Sequence, residues 1–173
     1  MFAIFLFLTT CDAQEPEIMT LIWEKELLPD IDEQVTVEEL DVVDINADGY
    51  ADTYVVTSGL ATSVHVNKKN RLWAFKPNGS VMWVYGVDDH IRKVQAYDIN
   101  NDRMMEFVVA SGERLNNFKR GQIRIIDHEG DLIEKYGSSA IMDDIDVGDI
   151  DSDRYYEIVG AFLCVVCTVS FLF

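Results

Sequence analysis

The chain has 173 residues, with 31 Asp or Glu against 14 Lys or Arg and a formal charge of −17. That balance excludes recognition of DNA or RNA through phosphate contacts, which need clustered Lys and Arg, and it favours cations or basic partners. Hydrophobic residues make up 49 % of the sequence, enough for a packed core in one domain or in a piece of a larger one.

Residues Met1 to Thr10 form an uncharged apolar run, followed by small residues at Cys11 and Ala13. Cleavage after Ala13 would suit a signal peptidase, so residues 1–13 read as a signal peptide or N-terminal anchor. The competing reading is a buried first strand.

The middle of the chain, residues 14–161, repeats itself. Three segments align without gaps: Asp44-Ile-Asn46-Ala-Asp48-Gly49-Tyr50-Ala-Asp52, Asp98-Ile-Asn100-Asn-Asp102-Arg103-Met104-Met-Glu106, and Asp149-Ile-Asp151-Ser-Asp153-Arg154-Tyr155-Tyr-Glu157. Their first residues lie 54 and 51 positions apart, a period that marks a repeat architecture. Each segment follows an apolar alternation and precedes a β-rich run, such as Thr53 to Gly59 or Phe107 to Gly112, which reads as strand, loop, strand. Between the acidic loops lies a second hairpin. In one copy Arg71 to Phe75 and Ser80 to Tyr85 flank Asn78-Gly79, a dipeptide suited to a tight turn with φ > 0 at both residues. In the other, Gln122 to Ile126 and Asp131 to Tyr136 flank Asp127 to Gly130. Helical periodicity is nearly absent, and Glu33 to Glu39 is the only ambiguous stretch. Four short antiparallel strands per repeat describe a β-propeller blade. The expected fold is therefore all-β: about three four-stranded antiparallel repeats forming an incomplete propeller. Closed propellers typically have about four to eight blades, so the chain reads as a truncated member cut inside its third blade, or one that closes by oligomerisation.

Residues 162–173 form an apolar tail. The run from Ile158 to Phe173 is uncharged but only 16 residues long, short of the roughly 20 needed for a membrane helix. A membrane segment, a buried strand and an abnormal terminus are all open. Cys164 and Cys167 sit in this run with no second pair and no nearby His, which reads as passive packing rather than a redox or zinc pair.

The acidic loops carry the chemistry. Oxygen donors at positions 1, 3, 5, 7 and 9 of a tight loop surround one hard cation. In loop 44–52 these are Asp44, Asn46, Asp48, the carbonyl of Tyr50, and Asp52. In loop 98–106 they are Asp98, Asn100, Asp102, the carbonyl of Met104, and Glu106. In loop 149–157 they are Asp149, Asp151, Asp153, the carbonyl of Tyr155, and Glu157. A set without imidazole or thiolate favours Ca²⁺ over zinc or copper. An EF-hand is excluded because position 12 is Val55, Val109 or Gly160 rather than Glu, and because strands flank the loops. Gly49 suits a left-handed turn at position 6; Arg103 and Arg154 in its place cost roughly 1–2 kcal/mol. The bland alternative is an Asp- and Asn-rich turn without metal, which accounts poorly for three loops in phase. Clustered carboxylates repel one another unless a cation sits among them.

DINADGYAD resembles the calcium loop of the FG-GAP/VCBS repeat family, the repeats of integrin α-subunit propellers and of many exported microbial proteins. The resemblance covers roughly residues 40 to 161. Loops two and three depart from the pattern in losing Gly and ending on Glu. The hairpin LWAFKPNGSVMWVY is also similar to strands of quinoprotein (PQQ-like) propellers. The first resemblance implies a calcium-stabilised propeller in an exported protein used for adhesion or ligand binding.

The expectation is an exported calcium-binding repeat protein, extracellular or at the cell surface. Its partner would be a protein or glycan ligand, other blades of a longer chain, or a second copy, with membrane attachment open and no nucleic acid. No G-x-S-x-G, H-E-x-x-H or phosphate-binding Gly loop is present, so a binding role is favoured over an enzyme. The alternatives are a fragment of a quinoprotein-like enzyme and a metal-free structural β domain. His65, His90 and His128 share no ligand spacing and read as surface residues. Trp23, Trp73 and Trp83 read as core. Asn78-Gly79-Ser80 has the form of a glycosylation sequon, although a hairpin turn already accounts for it.

Overall fold

The computed structural model describes residues 3–8, 20–27, 34–60, 70–115, 118–163 and 168–172. Thirteen strands carry the fold and no helix occurs among the described residues. They are β1 (Ala3–Leu8), β2 (Thr20–Glu26), β3 (Gln34–Val43), β4 (Asp52–Leu60), β5 (Asn70–Phe75), β6 (Val81–Val87), β7 (Ile91–Tyr97), β8 (Glu106–Leu115), β9 (Phe118–Ile126), β10 (Leu132–Ser138), β11 (Ile141–Gly148), β12 (Glu157–Leu163) and β13 (Thr168–Leu172). All pairings are antiparallel between consecutive strands. They give four sheets: β1-β2, β3-β4-β5-β6, β7-β8-β9-β10 and β11-β12-β13. Of the ambiguous stretch, residues 34–39 are extended as part of β3, and Glu33 lies outside the described residues.

Stacking buries both faces of the second and third sheets. Trp23 and Leu27 meet Val55, Trp73 and Phe75 between the first and second sheets. Tyr54, Val56, Leu72 and Ala74 meet Val94, Phe107, Val109 and Ile126 between the second and third. Val108, Ala110 and Ile123 meet Met142, Ile145, Val147 and Ile158 between the third and fourth. Neighbouring residues of β4 and β8 thus serve opposite layers, as a period of two requires. This is why β4 is buried without a break from Asp52 to Gly59 and reads as a continuous run rather than an alternation.

The repeat extends to irregularities that the loops do not dictate. Register shifts fall between Val37 and Glu39 in β3, Ile91 and Lys93 in β7, and Met142 and Asp144 in β11. Each leaves one extra residue six positions before its acidic loop: Glu38, Arg92 and Asp143. Shifts at Ala74/Phe75 and at Leu132/Glu134 leave Met82 and Ile133 as equivalent extra residues. A β-bulge increases local twist and re-aims side chains, so each sheet is bent at the same places.

Both outer hairpins turn the same way. Gly79 N donates to Lys76 O and Lys76 N to Ser80 O, each at 2.8 Å; Gly130 N donates to Asp127 O at 3.0 Å and Asp127 N to Asp131 O at 2.9 Å. Only the glycines take positive φ, 78° and 91°. The Asn78-Gly79 turn is thus a three-residue loop with its glycine in the left-handed position, not the two-residue turn with positive φ at both residues. A tryptophan from the preceding sheet lies over each glycine. A Cβ on Gly79 would stand 2.9 Å from the Trp23 ring, and one on Gly130 would stand 2.7 Å from Trp83. The Trp83 indole N–H donates to His128 O at 2.8 Å, and its ring meets Phe107 edge-on at 5.1 Å. Trp73 and Trp83, in facing arms of one hairpin, serve different layers: Trp83 pairs with Ala74 while Trp73 pairs with Val84, and one residue of offset reverses the face. Trp73 stacks on Phe75 at 6.1 Å toward the first sheet.

Polar groups hold the linkers. Arg124, 4 % exposed, lies 4.0 Å from Asp89, 1 % exposed. Its guanidinium also donates to Ser111 Oγ and Gln122 Oε1. Asn70 Nδ2 donates to Asp89 O at 2.8 Å. His90 and His128 are half-buried rather than surface residues, and His90 Nδ1 lies 3.2 Å from Ser58 Oγ. His65, Cys11, Cys164 and Cys167 lie outside the described residues, as does the cleavage position after Ala13. β1 falls inside the segment read as an export signal and pairs with β2; cleavage would remove it. Among the described residues no helix is long and apolar enough to cross a membrane, and residues 168–172 of the tail pair with β12.

Substituting Gly130→Ala adds a Cβ at positive φ against an indole. It should lower stability by about 1–3 kcal/mol in chemical denaturation. Gly86→Ala, whose Cβ meets nothing within 4 Å, should stay within about 0.5 kcal/mol.

Candidate metal centres

The three acidic loops join β3 to β4, β7 to β8 and β11 to β12, and they close with one geometry. In the first, Asp44 Oδ1 accepts from Asp48 N at 3.1 Å and Asp44 Oδ2 from Gly49 N at 2.9 Å. Asn46 Oδ1 accepts from Asp48 N at 3.2 Å, and Asp48 Oδ1 from Tyr50 N at 2.9 Å. The second loop repeats these bonds with Asp98 to Asp102 N (2.9 Å) and Arg103 N (2.8 Å), Asn100 to Asp102 N (2.8 Å), and Asp102 to Met104 N (2.7 Å). The third repeats them with Asp149 to Asp153 N and Arg154 N, Asp151 to Asp153 N (each 3.1 Å), and Asp153 to Tyr155 N (2.8 Å). Positions 1, 3 and 5 are thereby drawn into one tight turn in every copy. The carboxylate oxygens of Asp149, Asp151 and Asp153 lie within 4.8 Å of one another.

The backbone explains the residue types. Position 6 is left-handed in all three: φ is 87° at Gly49, 77° at Arg103 and 80° at Arg154. The arginines therefore hold a conformation that glycine adopts without penalty. Position 4 is left-handed as well, at Ala47 (57°), Asn101 (63°) and Ser152 (65°), which the residue types do not announce. At position 7, Tyr50 and Tyr155 turn their rings to solvent, 69 % and 73 % exposed, and Met104 is half-buried. The carbonyls of these residues remain as donors.

Position 9 differs from the rest because it is buried. Asp52, Glu106 and Glu157 are 1 %, 3 % and 8 % exposed. Each accepts the backbone N–H of the isoleucine at position 2: Asp52 Oδ2 from Ile45 at 3.2 Å, Glu106 Oε2 from Ile99 at 2.9 Å, and Glu157 Oε2 from Ile150 at 2.7 Å. The second oxygen distinguishes the loops. Glu106 Oε1 accepts from Asn100 Nδ2 at 3.3 Å, whereas Asp52 Oδ1 is buried with no hydrogen-bond partner. Burial raises the Asp52 carboxyl above the ordinary range against the lowering effect of the Ile45 N–H, and the charges of Asp48 and Asp44 add to the rise. Glu106 is raised chiefly by burial, with Asp102 and Asp98 adding to it.

Cover also differs along the chain. Ile45 is fully buried, Ile99 packs partly buried against the layer of the fourth sheet, and Ile150 is 52 % exposed. Met105 N donates to Ile45 O at 2.9 Å, joining the first loop to the second across two sheets. A further acidic group, Asp127, Glu129 and Asp131 in the β9–β10 turn, brings its carboxylate oxygens within 4.8 Å. There Asp127 Oδ1 already accepts from Glu129 N and Asp131 N. Its D-x-E-x-D spacing could have been noticed in the sequence, but the hairpin reading absorbed it.

All donors in the three loops are oxygens, which suits a hard cation. Asp52 Oδ1 is an uncompensated buried acceptor of the kind a cation would satisfy. Without a cation, a carboxyl raised in the fold binds more protons there than in the unfolded chain, so its contribution to stability is present in acid and lost as the pH rises through the raised value. In chelator, wild type should therefore lose thermal stability relative to Asp52→Asn as the pH goes from acid to neutral. Parallel pH profiles for the two proteins would show that burial of Asp52 is not the cause. The chain matches no known protein family, no curated protein and no solved structure.

Proposed function

We propose that the chain is an exported, calcium-binding β-propeller repeat protein of the FG-GAP/VCBS type, acting as a binding or scaffolding module outside the cell or at its surface. The observation that carries this reading is the threefold recurrence of one loop, in which the side chains at positions 1, 3 and 5 close the same turn and a buried carboxylate at position 9 accepts the N–H of position 2. Calcium takes about six to eight oxygens, so water would complete the shell. The bulges and the indole-over-glycine contacts, recurring at equivalent positions in successive sheets, support reading the sheets as blades. A ring with more blades would cover Ile150 as the third sheet covers Ile45.

The cation's role on this reading is structural. It neutralises carboxylates that otherwise repel one another and ties β3 to β4, β7 to β8 and β11 to β12. Its binding free energy adds to folding stability, by about 2.7 kcal/mol per site at a hundredfold excess over Kd. The first loop would bind most tightly, since it carries glycine at position 6 and the orphaned Asp52 oxygen. Loop two has a strained arginine and a carboxylate whose second oxygen is already engaged.

Thermal unfolding in millimolar Ca²⁺ and then in chelator tests the proposal. The midpoint should rise with Ca²⁺ and return with chelator, and the double variant Asp44→Ala, Asp48→Ala should lose much of the response. A cooperative midpoint indifferent to Ca²⁺ would leave a metal-free β domain.

A further inference from the structure

Asn78-Gly79-Ser80 is the single Asn-X-Ser/Thr triplet in the sequence. The turn geometry does not require it: the equivalent β9–β10 turn makes the same two backbone bonds with Glu129 where Asn78 stands. Lys76, Pro77, Asn78 and Ser80 are all exposed, so both residues that define the triplet face solvent. The inner side of the turn is the packed one, where Trp23 lies against Gly79. Asn78 Oδ1 accepts from Ser80 N at 2.9 Å. That bond orients the carboxamide and leaves its nitrogen without a protein partner among the described residues. The hairpin is the outer one of its sheet, with β6 at the sheet edge, so a bulky group on Asn78 would meet none of the three apolar layers.

We propose that Asn78 is the acceptor of an N-linked glycan, an inference that rests on the export reading above because the transfer occurs only along a secretory route. The donor is a lipid-linked oligosaccharide pyrophosphate. The Asn78 Nδ2 attacks the anomeric carbon of the first sugar and an N–C bond forms. The bond from that carbon to the pyrophosphate oxygen breaks, lipid pyrophosphate leaves, and one amide proton passes to a base of the transferase. No oxidation or reduction occurs. The product carries its glycan at a surface turn, where a large hydrated group is tolerated and adds solubility.

The test expresses the full chain in glycosylating eukaryotic cells, once with its own N-terminus and once behind a secretion leader of proven function. Cell-associated and secreted protein are both read by intact mass, before and after peptide-N-glycosidase. The expected result for the leader-driven chain is one glycan, removed by the enzyme and absent in both Asn78→Gln and Ser80→Ala. Ser80→Ala keeps the Asn78 side chain and its bond to the backbone of residue 80, so loss in that variant is not a folding effect. A leader-driven wild-type chain without glycan overturns the proposal. Glycan on the leader-driven chain but not on the chain with its own N-terminus keeps the acceptor site and overturns the export reading instead.

Discussion

A carboxylate buried at the start of the second strand of each repeat is the constraint around which the molecule is arranged. Asp52, Glu106 and Glu157 leave solvent because the strands they open are packed within the sheet stack. Each keeps one backbone N–H, from the isoleucine at position 2, and that bond pulls the loop shut over it. A buried charge with only one or two hydrogen bonds is expensive. The rest of the loop answers this by curling positions 1, 3 and 5 toward the same place, which gathers more negative charge rather than less. A proton on the raised carboxyl relieves this in part; a cation among the carboxylates would relieve it further, and that is the physical root of the calcium reading proposed above.

Much of this was legible because repetition amplifies weak signals. One Asp-rich segment is an ordinary turn; three in phase, each flanked by Val- and Ile-rich runs, place the loops between strands. Other features escape such reading. Trp73 and Trp83 were assignable to strands, but their layers depend on the register of the β5–β6 hairpin, where Met82 is the extra residue. Burial of position 9 was hidden for a different reason. Nothing in an Asp or Glu indicates that the strand it opens is packed against a neighbouring sheet. Arg124 and Asp89 were equally silent, being far apart in the chain. Arg124 takes the place that Trp73 has one repeat earlier, and both donate to a hydroxyl on the adjacent strand: Thr57 for the indole, Ser111 for the guanidinium. A repeat can thus exchange an aromatic ring for a charged fork while keeping a single hydrogen bond, provided Asp89 is brought in to meet the charge.

The sheets also differ in how they end. Inner edges are tied by side chains: Glu39 meets Lys93 Nζ and the Val94 N–H, each at 3.2 Å, and Gln95 reaches Asp146 at 3.2 Å. These bonds occupy part of the row of donors and acceptors that an edge strand would otherwise offer to another chain. Outer edges are treated less evenly. β6 lays Trp83 on the next turn, whereas β10 has Glu134 at the matching position and leaves Leu132 and Ile133 45 % and 54 % exposed. The stack is well covered in its middle, whereas β10 is exposed along most of its length.

The bond from Met105 N to Ile45 O spans two loops that are far apart in sequence. A group that orders the first loop fixes one end of that bond, and the second loop then has less conformational freedom left to lose. Free energy spent on ordering is shared in this way even where no structure changes. If both loops hold a cation, as proposed, the consequence is cooperativity: two sites joined by a backbone hydrogen bond would fill as a coupled pair, with an onset steeper than independent sites would give.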